Sequence, residues 1–491
     1  MTGFHIFILR YGYAPYGFFK KIGIQGPKPW PFIGTFMEYK DGIHNFDTKC
    51  FQKYGRVWGL YDGRQPVMAV MDTTMIKTIL VKECYSVFTN RRDFGLNGPL
   101  ADAVSIVEDE EWKRIRSVLS PSFTSGRLKE MYTIISFFTD IKNNIKIYQN
   151  VIFAFPCRVF GPYSMDVVTS TAFSVDVDSI NQPSDPFVTN IKKMVKFSFL
   201  NPLFILVVLF PFMGPILQKM DVSFFPAEVL VFFYKFLEKI KGDRHKNDRK
   251  NRVDFMQLMV DAQISENQET NGQKDPKSHW RHKPSTDLNC LIPAMIFIFA
   301  GYETSSSTLC FLAYNLATHP HIQKKLQEEI DETFPDKTEP TYEGVMQMEY
   351  LDMTLNESSR LYPIGTRLER MTKATVEING VTIPKGTVVM VPVYTLHRDP
   401  ALWTEPEVFN PERFSKENKD NIDPYAFLPF GAGPRNCIGM RFALVMMKLA
   451  IVQILQRYSF VTCKETEIPL ELSSDGFATP KVPIKLKLEP R

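Results

Sequence analysis

The segment from Phe430 to Gly439 reads FGAGPRNCIG, and an apolar helical stretch opens after it at Met440. It places a single cysteine, Cys437, in a glycine-rich loop directly before a helix. Loop N–H groups and a helix N-terminus stabilise negative charge, so we expect Cys437 to be a thiolate. The three glycines of the segment are expected to let a flat ligand approach the backbone closely.

Other interpretations of this loop compete with a thiolate ligand. A cysteine nucleophile would need a histidine base, and the eight histidines of the chain show no such pattern. The pair Gly431-x-Gly433 lacks the third glycine of a dinucleotide-binding loop, and no βαβ pattern surrounds it. A buried structural role for Cys437 stays open on the residues alone.

The composition of the whole chain narrows the class of protein. Its 491 residues are 44% hydrophobic and 23% charged, which is typical of a globular protein rather than a disordered or multi-span membrane protein. A net charge of +4 is too small to indicate a nucleic-acid binder. The seven cysteines are odd in number and contain no C-x-x-C pair, which argues against a disulfide framework or a zinc site and favours a reducing compartment.

A long apolar helix is predicted from Leu288 to Gln323, where the only formal charge is Glu303. Within it, Gly301, Glu303 and Thr304 are locally unfavourable in apolar surroundings. They indicate either a functional site or a helix kink with a solvated glutamate.

Further elements follow along the chain. Helices are predicted over 323–334 and about 342–362, the latter closed by Pro363. Alternating residues at 376–383, with Asn379-Gly380 at the tip, predict a hairpin, and residues 484–488 alternate in the same way. Residues 263–286 predict a surface loop. The expected fold class is mainly α with smaller β regions (α+β).

The uncharged stretch 197–218 is long enough to cross a membrane, but Pro202, Pro211 and Pro215 interrupt it. It therefore predicts short helices on an apolar surface, with burial in the core as the alternative. At the N-terminus, the apolar run from Phe4 to Leu9 is too short to span, and the basic pair Lys20-Lys21 follows it.

The cysteine loop resembles the haem-thiolate loop of cytochrome P-450 enzymes, whose pattern is Phe-x-x-Gly-x-Arg-x-Cys-x-Gly. Three other motifs match that family in the expected order. They are Trp112-x-x-x-Arg116, Ala300-Gly301-x-Glu303-Thr304, and Glu357-x-x-Arg360 with Arg413 of the PERF segment. Local stretches at 81–92, 349–352 and 433–443 resemble the vertebrate subfamily 3A. The resemblance covers the chain from about Phe18 to its end.

This resemblance implies a haem b group held between the long central helix and the helix after the cysteine loop. It implies one catalytic domain over 26–491, preceded by a truncated anchor region and basic segment at 1–25. The implied residues, by role, are as follows: Ala300, Gly301, Glu303 and Thr304 for oxygen activation; Cys437 for iron; Arg91, Trp112, Arg116, Arg370, Phe430, Gly431, Gly433, Arg435 and Gly439 for haem; Phe94, Ser105, Phe197, Phe199, Phe204, Phe225 and Phe299 for substrate; Glu357, Arg360 and Arg413 for structure.

The implied function is a monooxygenase that inserts one oxygen atom from O2 into large lipophilic molecules such as steroids, drugs and xenobiotics. Electrons would come from NADPH through a separate reductase, since the chain shows neither flavin nor nicotinamide loops, with cytochrome b5 as a second candidate partner. The resemblance also implies the cytosolic face of the endoplasmic reticulum membrane and no nucleic-acid partner. Two alternatives remain: a reductase-independent isomerase or peroxygenase, and an inactive variant, since residues 145–158 and 274–293 diverge from the family.

Overall fold

The computed structural model describes residues 10–139, 155–195, 201–220, 222–246, 254–257, 288–474 and 476–491. Its α-helices are α1 (Phe18–Lys21), α2 (Ile43–Tyr54), α3 (Thr73–Lys77), α4 (Asp109–Leu119), α5 (Ser125–Thr139), α6 (Phe155–Phe173), α7 (Pro186–Val195), α8 (Pro202–Leu209), α9 (Met213–Lys219), α10 (Ala227–Lys246), α11 (Leu288–Thr318), α12 (Pro320–Thr333), α13 (Tyr342–Gln347), α14 (Glu349–Leu361), α15 (Val393–Leu396), α16 (Lys416–Lys419) and α17 (Met440–Leu455). The strands are β1 (Val57–Asp62), β2 (Gln65–Val70), β3 (Leu368–Met371), β4 (Val376–Ile378), β5 (Val381–Ile383), β6 (Val388–Val391), β7 (Tyr458–Thr462) and β8 (Leu486–Pro490).

The strands form one four-stranded sheet and two hairpin-like pairs. The larger sheet has the order β1-β2-β6-β3, in which β2 and β6 run parallel and the outer pairs run antiparallel. The predicted hairpin is confirmed: β4 pairs with β5, and Asn379 and Gly380 both take the positive φ that a tight primed turn requires. The alternating C-terminal tail pairs as β8 with β7.

The central helix α11 is confirmed, with 31 residues that end at Thr318 rather than at Gln323. His319 and Pro320 interrupt it because proline cannot continue a helix, so the next helix starts three residues earlier than predicted. The predicted helix at 342–362 is in fact two, α13 and α14, which are separated at Met348, where the backbone is extended. The prolines of the uncharged stretch do yield two short helices, α8 and α9.

Helix α11 runs through the largest buried cluster of the protein. It packs along α6 and also contacts α14, α17 and β7. A second buried cluster lies around the four-stranded sheet and α2. Among the described residues, one helical stretch (Met295–Thr318) is long and apolar enough to cross a membrane, and most of it is buried inside the protein. This arrangement leaves α11 facing the loop before α17 across a cavity.

Candidate active site

A cavity of about 390 Å³ lies between α11 and the loop that precedes α17. Its volume is within the range of small-molecule pockets. One wall carries Cys437 and its neighbours, and the opposite wall carries a stripe of α11 that includes Ala300, Gly301 and Thr304. The motifs that the sequence places more than 130 residues apart therefore meet at a single site.

Cys437 is accessible from this cavity while the protein surrounds the rest of its side chain. Burial raises the pKa of its thiol, and the Gly439 N–H, Arg116 and Arg91 oppose that rise by favouring the thiolate. Burial has the larger effect on the thiol, so the thiolate remains a prediction for the metal-bound site. A metal ion deprotonates a thiol that binds it, so ligation would add to the effect of the loop and the arginines and give the thiolate.

The glycines of the loop divide between two roles. Gly431 and Gly439 line the cavity, as predicted. Gly433 does not, and a Cβ there would come within 1.9 Å of the Leu80 carbonyl oxygen, so this position needs glycine because two backbone segments touch. Its φ of +71° also favours glycine. The expectation that Gly433 admits a ligand is therefore wrong.

Four arginines converge on the cavity from separate elements. Arg116 comes from α4, Arg370 from β3, Arg91 from the segment after Leu80, and Arg435 from the cysteine loop. Trp112, one turn before Arg116, is buried and lies 4.5 Å from the Arg435 guanidinium, measured to the ring centroid. Among the described residues that line this cavity there is no aspartate or glutamate to balance them.

These arginines suit an anionic ligand. Within the described part of the chain, Nε of Arg370 and both Nε and Nη1 of Arg435 are buried without a hydrogen-bond partner. Burial lowers the pKa of Arg370 to about 9 and that of Arg435 to about 10, and the nearby charge of Arg91 adds to both effects. Buried donors of this kind are costly unless paired. The two carboxylates of a haem would pair them, so the residues present fit the group.

On the opposite wall, the Thr304 hydroxyl donates to the Ala300 carbonyl at 2.6 Å. Glu303 does not line the cavity, and burial raises the pKa of its carboxyl group while the Ser307 side chain opposes that rise. Of this pair, Thr304 therefore lies on the cavity wall, while Glu303, the preceding residue, does not.

Gly301 has a packing role beside its place on the cavity wall. It lines the cavity, but a Cβ at this position would lie 2.7 Å from Cγ2 of Val168 on α6. On the same side, buried Ser164 of α6 donates to the Gly301 carbonyl at 2.8 Å. Gly301 therefore lies on the cavity wall and also allows α6 and α11 to pack closely.

The aromatic substrate pocket is only partly where the sequence predicted it. Ser105 lines the cavity, but Phe94, Phe204, Phe225 and Phe299 do not. They form two pairs, Phe94 with Phe204 at 5.0 Å and Phe225 with Phe299 at 6.4 Å between ring centroids, and these pairs pack against other parts of the core. Phe197 and Phe199 lie outside the described residues.

Other aromatic residues line the cavity instead: Phe123, Phe255, Phe297, Tyr362, Phe442 and Phe477. One of them could have been found from periodicity. Phe297 is three, four and seven residues before Ala300, Gly301 and Thr304, which places it on the same face of α11. Phe299, the predicted residue, falls on another face. No local pattern marks the rest, because they come from five distant segments.

The Glu357–Arg360–Arg413 set is assembled as predicted. The carboxylate of Glu357 accepts two bonds from Arg360 at 2.8 Å and one from Arg413 at 3.3 Å. Glu357 and Arg360 are completely buried. Arg360 also donates to the carbonyls of His397 and Pro406, which fixes the loop that follows α15.

The chain is similar to known proteins over nearly its whole length. The family model for cytochrome P450 matches residues 24–488. The chain belongs to the cytochrome P450 family. Among curated relatives, cytochrome P450 3A27 of Oncorhynchus mykiss is 62% identical over 99% of this chain and 92% of its own length. Cytochrome P450 3A40 of Oryzias latipes is 61% identical over 100% and 96%, and cytochrome P450 3A12 of Canis lupus familiaris is 56% identical over 99% and 95%.

This P450 therefore belongs to subfamily 3A, as its local stretches suggested. It is a haem-thiolate monooxygenase that uses electrons from NADPH through a redox partner and acts on lipophilic substrates. The mainly α fold with small sheets agrees with the expected fold class. The cavity between α11 and the cysteine loop brings together residues that the family resemblance assigns to this chemistry.

Proposed function

We propose that Cys437 is the thiolate ligand of the haem iron and that the cavity between α11 and the cysteine loop is the oxygenation site. The observation that carries this proposal is the convergence of one accessible sulfur with four arginines, two of which have buried N–H groups without a partner in the described chain. Residues 26–491 form one catalytic domain in this proposal.

When bound, the haem supplies the oxygen-activating chemistry, which a thiolate ligand favours by donating electron density to the iron. Arg91, Arg116, Arg370 and Arg435 bind the carboxylates of the group, and Trp112 packs on Arg435 and holds it in place. Phe430, Gly431 and Gly439 form the apolar floor around the sulfur. The Phe430 carbonyl accepts the Cys437 N–H at 2.9 Å, which keeps the loop closed.

In this proposal Thr304 donates a proton on the opposite wall, and Glu303, which does not line the cavity, supplies it. Thr304 lines the cavity and donates its hydroxyl proton to the Ala300 carbonyl, so rotation of the hydroxyl would turn that proton toward a molecule bound in the cavity. Glu303 resupplies that proton. Its raised pKa supports this role, because a carboxyl group with a pKa closer to neutral exchanges protons more readily than a fully ionised one.

The substrates in this proposal are large lipophilic molecules such as steroids, drugs and xenobiotics. Apart from the arginines, the wall is largely apolar and aromatic, with Phe123, Phe297 and Phe477 contributed by three different segments. Such a surface binds by excluding water and selects weakly among apolar shapes. Tight preference for a small charged substrate in a binding titration would contradict this assignment.

NADPH–cytochrome P450 reductase is the proposed electron donor, with cytochrome b5 as a second partner. Reconstitution of the purified protein with each partner, alone and together, tests this directly. Product formation that requires the reductase supports the assignment, whereas equal turnover with peroxide alone would favour the peroxygenase alternative.

We also propose attachment to the cytosolic face of the endoplasmic reticulum membrane. Apolar side chains are exposed in the loop between α8 and α9 (Phe212), in α9 (Ile216) and just after α9 (Met220). Tyr11 of the N-terminal segment lies 6.2 Å from Phe210 between ring centroids. The N-terminal segment thus adjoins the apolar surface, and the exposed Lys20-Lys21 pair lies ten residues further along the chain. Apolar burial combined with basic residues is typical of reversible binding to anionic membranes.

Flotation with anionic vesicles tests the membrane proposal. We expect the protein to float at low salt and to float less at high salt, since salt screens the lysine contribution. A protein that stays wholly in the soluble fraction at low salt would contradict the proposal.

The ligand assignment is tested by Cys437→Ser, with Cys463→Ser as the control. Cys463 is also a free cysteine, but it lies between β7 and the loop that follows, outside the cavity. We expect the reduced carbon monoxide complex to lose its thiolate-type Soret band only in Cys437→Ser. Retention of that band in Cys437→Ser would overturn the assignment.

A further inference from the structure

His397 is a completely buried histidine that the proposed chemistry does not use. It follows α15 and lies between two parts of the site, the Glu357–Arg360 pair and the segment that leads into the cysteine loop. Its Nδ1 lies 3.2 Å from the Arg360 carbonyl oxygen, and its Nε2 lies 2.8 Å from the Leu428 backbone nitrogen. The ring therefore bridges two segments that are 68 residues apart in sequence.

The two contacts fix the protonation of the ring. A carbonyl can only accept, so Nδ1 carries the hydrogen and donates to Arg360, while Nε2 accepts from the Leu428 N–H. Burial, together with the charges of Arg360 and Arg398, lowers the pKa of His397 to about 3. The ring is thus neutral under working conditions and can serve as a donor on one side and an acceptor on the other.

The Arg360 side of this bridge is rigid. Arg360 donates from Nη1 to the His397 carbonyl at 2.8 Å, while the His397 ring donates back to the Arg360 carbonyl. The guanidinium is held in turn by Glu357 through two bonds of 2.8 Å. His397 is therefore anchored to a fully buried ion pair by bonds in both directions.

The Leu428 side leads directly to the cysteine. The Leu428 carbonyl accepts the Gly431 N–H at 3.1 Å, and the Phe430 carbonyl accepts the Cys437 N–H at 2.9 Å. Leu428 and Phe430 both line the cavity. Pro429, between them, has no N–H to offer, so the Leu428 N–H is the donor that attaches this segment to His397.

We propose that His397 is a positioning residue that ties the loop carrying Cys437 to the Glu357–Arg360 pair through the Leu428 N–H. The part of this proposal that concerns the metal ligand rests on the proposed role of Cys437. If the Leu428 N–H loses its acceptor, a buried donor is left unpaired and the segment before the cysteine gains freedom to move.

Two substitutions separate the two ends of the bridge. His397→Gln can place an amide oxygen near the position of Nε2 and keep the acceptor for Leu428, whereas His397→Asn can place its amide near Nδ1 and keep only the donor to Arg360. Thr395→Val is the matched control. Thr395 is buried in α15, two residues before His397, and its hydroxyl pairs with Thr48 at 3.2 Å, away from the cysteine loop.

Hydrogen exchange of the holoenzyme, followed on peptides that cover 427–439, is the first measurement. We expect exchange at the Leu428 amide to become about tenfold faster or more in His397→Asn, since a lost bond to a buried amide is worth about a factor of ten. His397→Gln and Thr395→Val should match the wild type. The second measurement is the fraction of the reduced carbon monoxide complex with a thiolate-type Soret band, which should fall in His397→Asn alone.

The proposal is overturned if the Gln and Asn variants behave alike. Equal protection in both would show that the Leu428 bond is dispensable, and equal loss in both would assign His397 to general packing. If His397→Asn does not accumulate as folded protein, the His397→Gln variant tests the proposal alone. The proposal is overturned if its Leu428 amide is unprotected while the fraction with a thiolate-type Soret band is unchanged. It is supported if the amide is protected and that fraction is unchanged. A retained band in Cys437→Ser would contradict the ligand assignment while leaving the exchange result intact.

Discussion

The two walls of the cavity are built in different ways. The cysteine wall is a loop fixed by contacts with distant backbone: Gly433 lies against Leu80, Arg116 donates to Asn436, and Leu428 donates to His397. The α11 wall is a single helix, in which a stripe at helical spacing faces the cavity and the Gly301 side packs on α6. One wall is charged and held by hydrogen bonds, and the other is apolar with a few hydroxyls.

This difference predicts different responses to mutation. On the cysteine wall, removing one partner strands a buried charge or a buried donor, so stability and ligand binding should fail together. On the α11 wall, a hydroxyl can be removed at little structural cost, so chemistry should change while the fold remains. The variants below test this contrast, from the largest expected effect on stability to the smallest.

The largest loss is expected from Glu357→Gln, which leaves the Arg360 guanidinium buried without a counter-charge. Breaking a buried ion pair in this way typically costs about 3–5 kcal/mol in the free energy of unfolding. Glu471→Gln is the control, because its pair with Lys481 is more than half exposed on both sides and such pairs are worth about 1 kcal/mol or less. Similar denaturant midpoints for the two variants would contradict the expectation that the buried Glu357–Arg360 pair matters more for stability than an exposed pair.

Gly301→Ala should destabilise the protein by about 1–3 kcal/mol, since the new methyl group meets Val168, whose branched side chain is stiff in a helix. Gly126→Ala is the control: this glycine is also helical, and a Cβ there would meet no neighbouring atom within 4 Å, so the change should be neutral or stabilising. Adding Val168→Ala should recover part of the loss. A Gly301→Ala protein with normal thermal stability but altered ligand binding would show that Gly301 serves the ligand rather than the packing of α6 on α11.

The buried histidine predicts a pH effect on the cysteine wall. The folded pKa of His397 is about 3, below the ordinary value of about 6.5, so between these values only the unfolded chain binds the proton. Its stabilising contribution is complete above about pH 6.5 and declines as the pH falls. The wild type should lose stability more steeply than His397→Gln, by up to about 1.4 kcal/mol per pH unit. His44, whose pKa is lowered to about 4, acts in the same direction but is present in both proteins. Parallel curves for the two proteins would contradict the expectation.

We expect Thr304→Ala to change the free energy of unfolding least and to change the reaction strongly. Loss of its bond to Ala300 should cost about 1 kcal/mol or less, while NADPH consumption becomes uncoupled from product and peroxide is released. Thr318→Ala is the control, because Thr318 makes the same type of bond to Tyr314 on the same helix outside the cavity. Unchanged coupling would show that the Thr304 hydroxyl is a packing feature.

The sequence predicted well wherever a feature is local. The cysteine loop, the long central helix, the Asn379-Gly380 hairpin and the proline-broken helices α8 and α9 all follow from short-range patterns of glycine, proline and apolar spacing. The Glu357–Arg360 pair is also local, since residues three apart face each other on a helix. Helix ends were less accurate, because His319-Pro320 and Met348 interrupt patterns that otherwise continue.

What only the tertiary structure decided is which residues share a surface. Gly301 and Gly433 match ligand-binding motifs, yet close contact with Val168 and Leu80 is what excludes a larger side chain. Phe225 and Phe299 pair in the core, while Phe255 and Phe477 reach the cavity. Such contacts join segments that are far apart in the chain, and packing geometry, unlike helical period or turn chemistry, is not encoded in any local pattern of residues. The sequence by itself determined the chemistry of the site, and the packing of α6, α11 and the cysteine loop determined its shape.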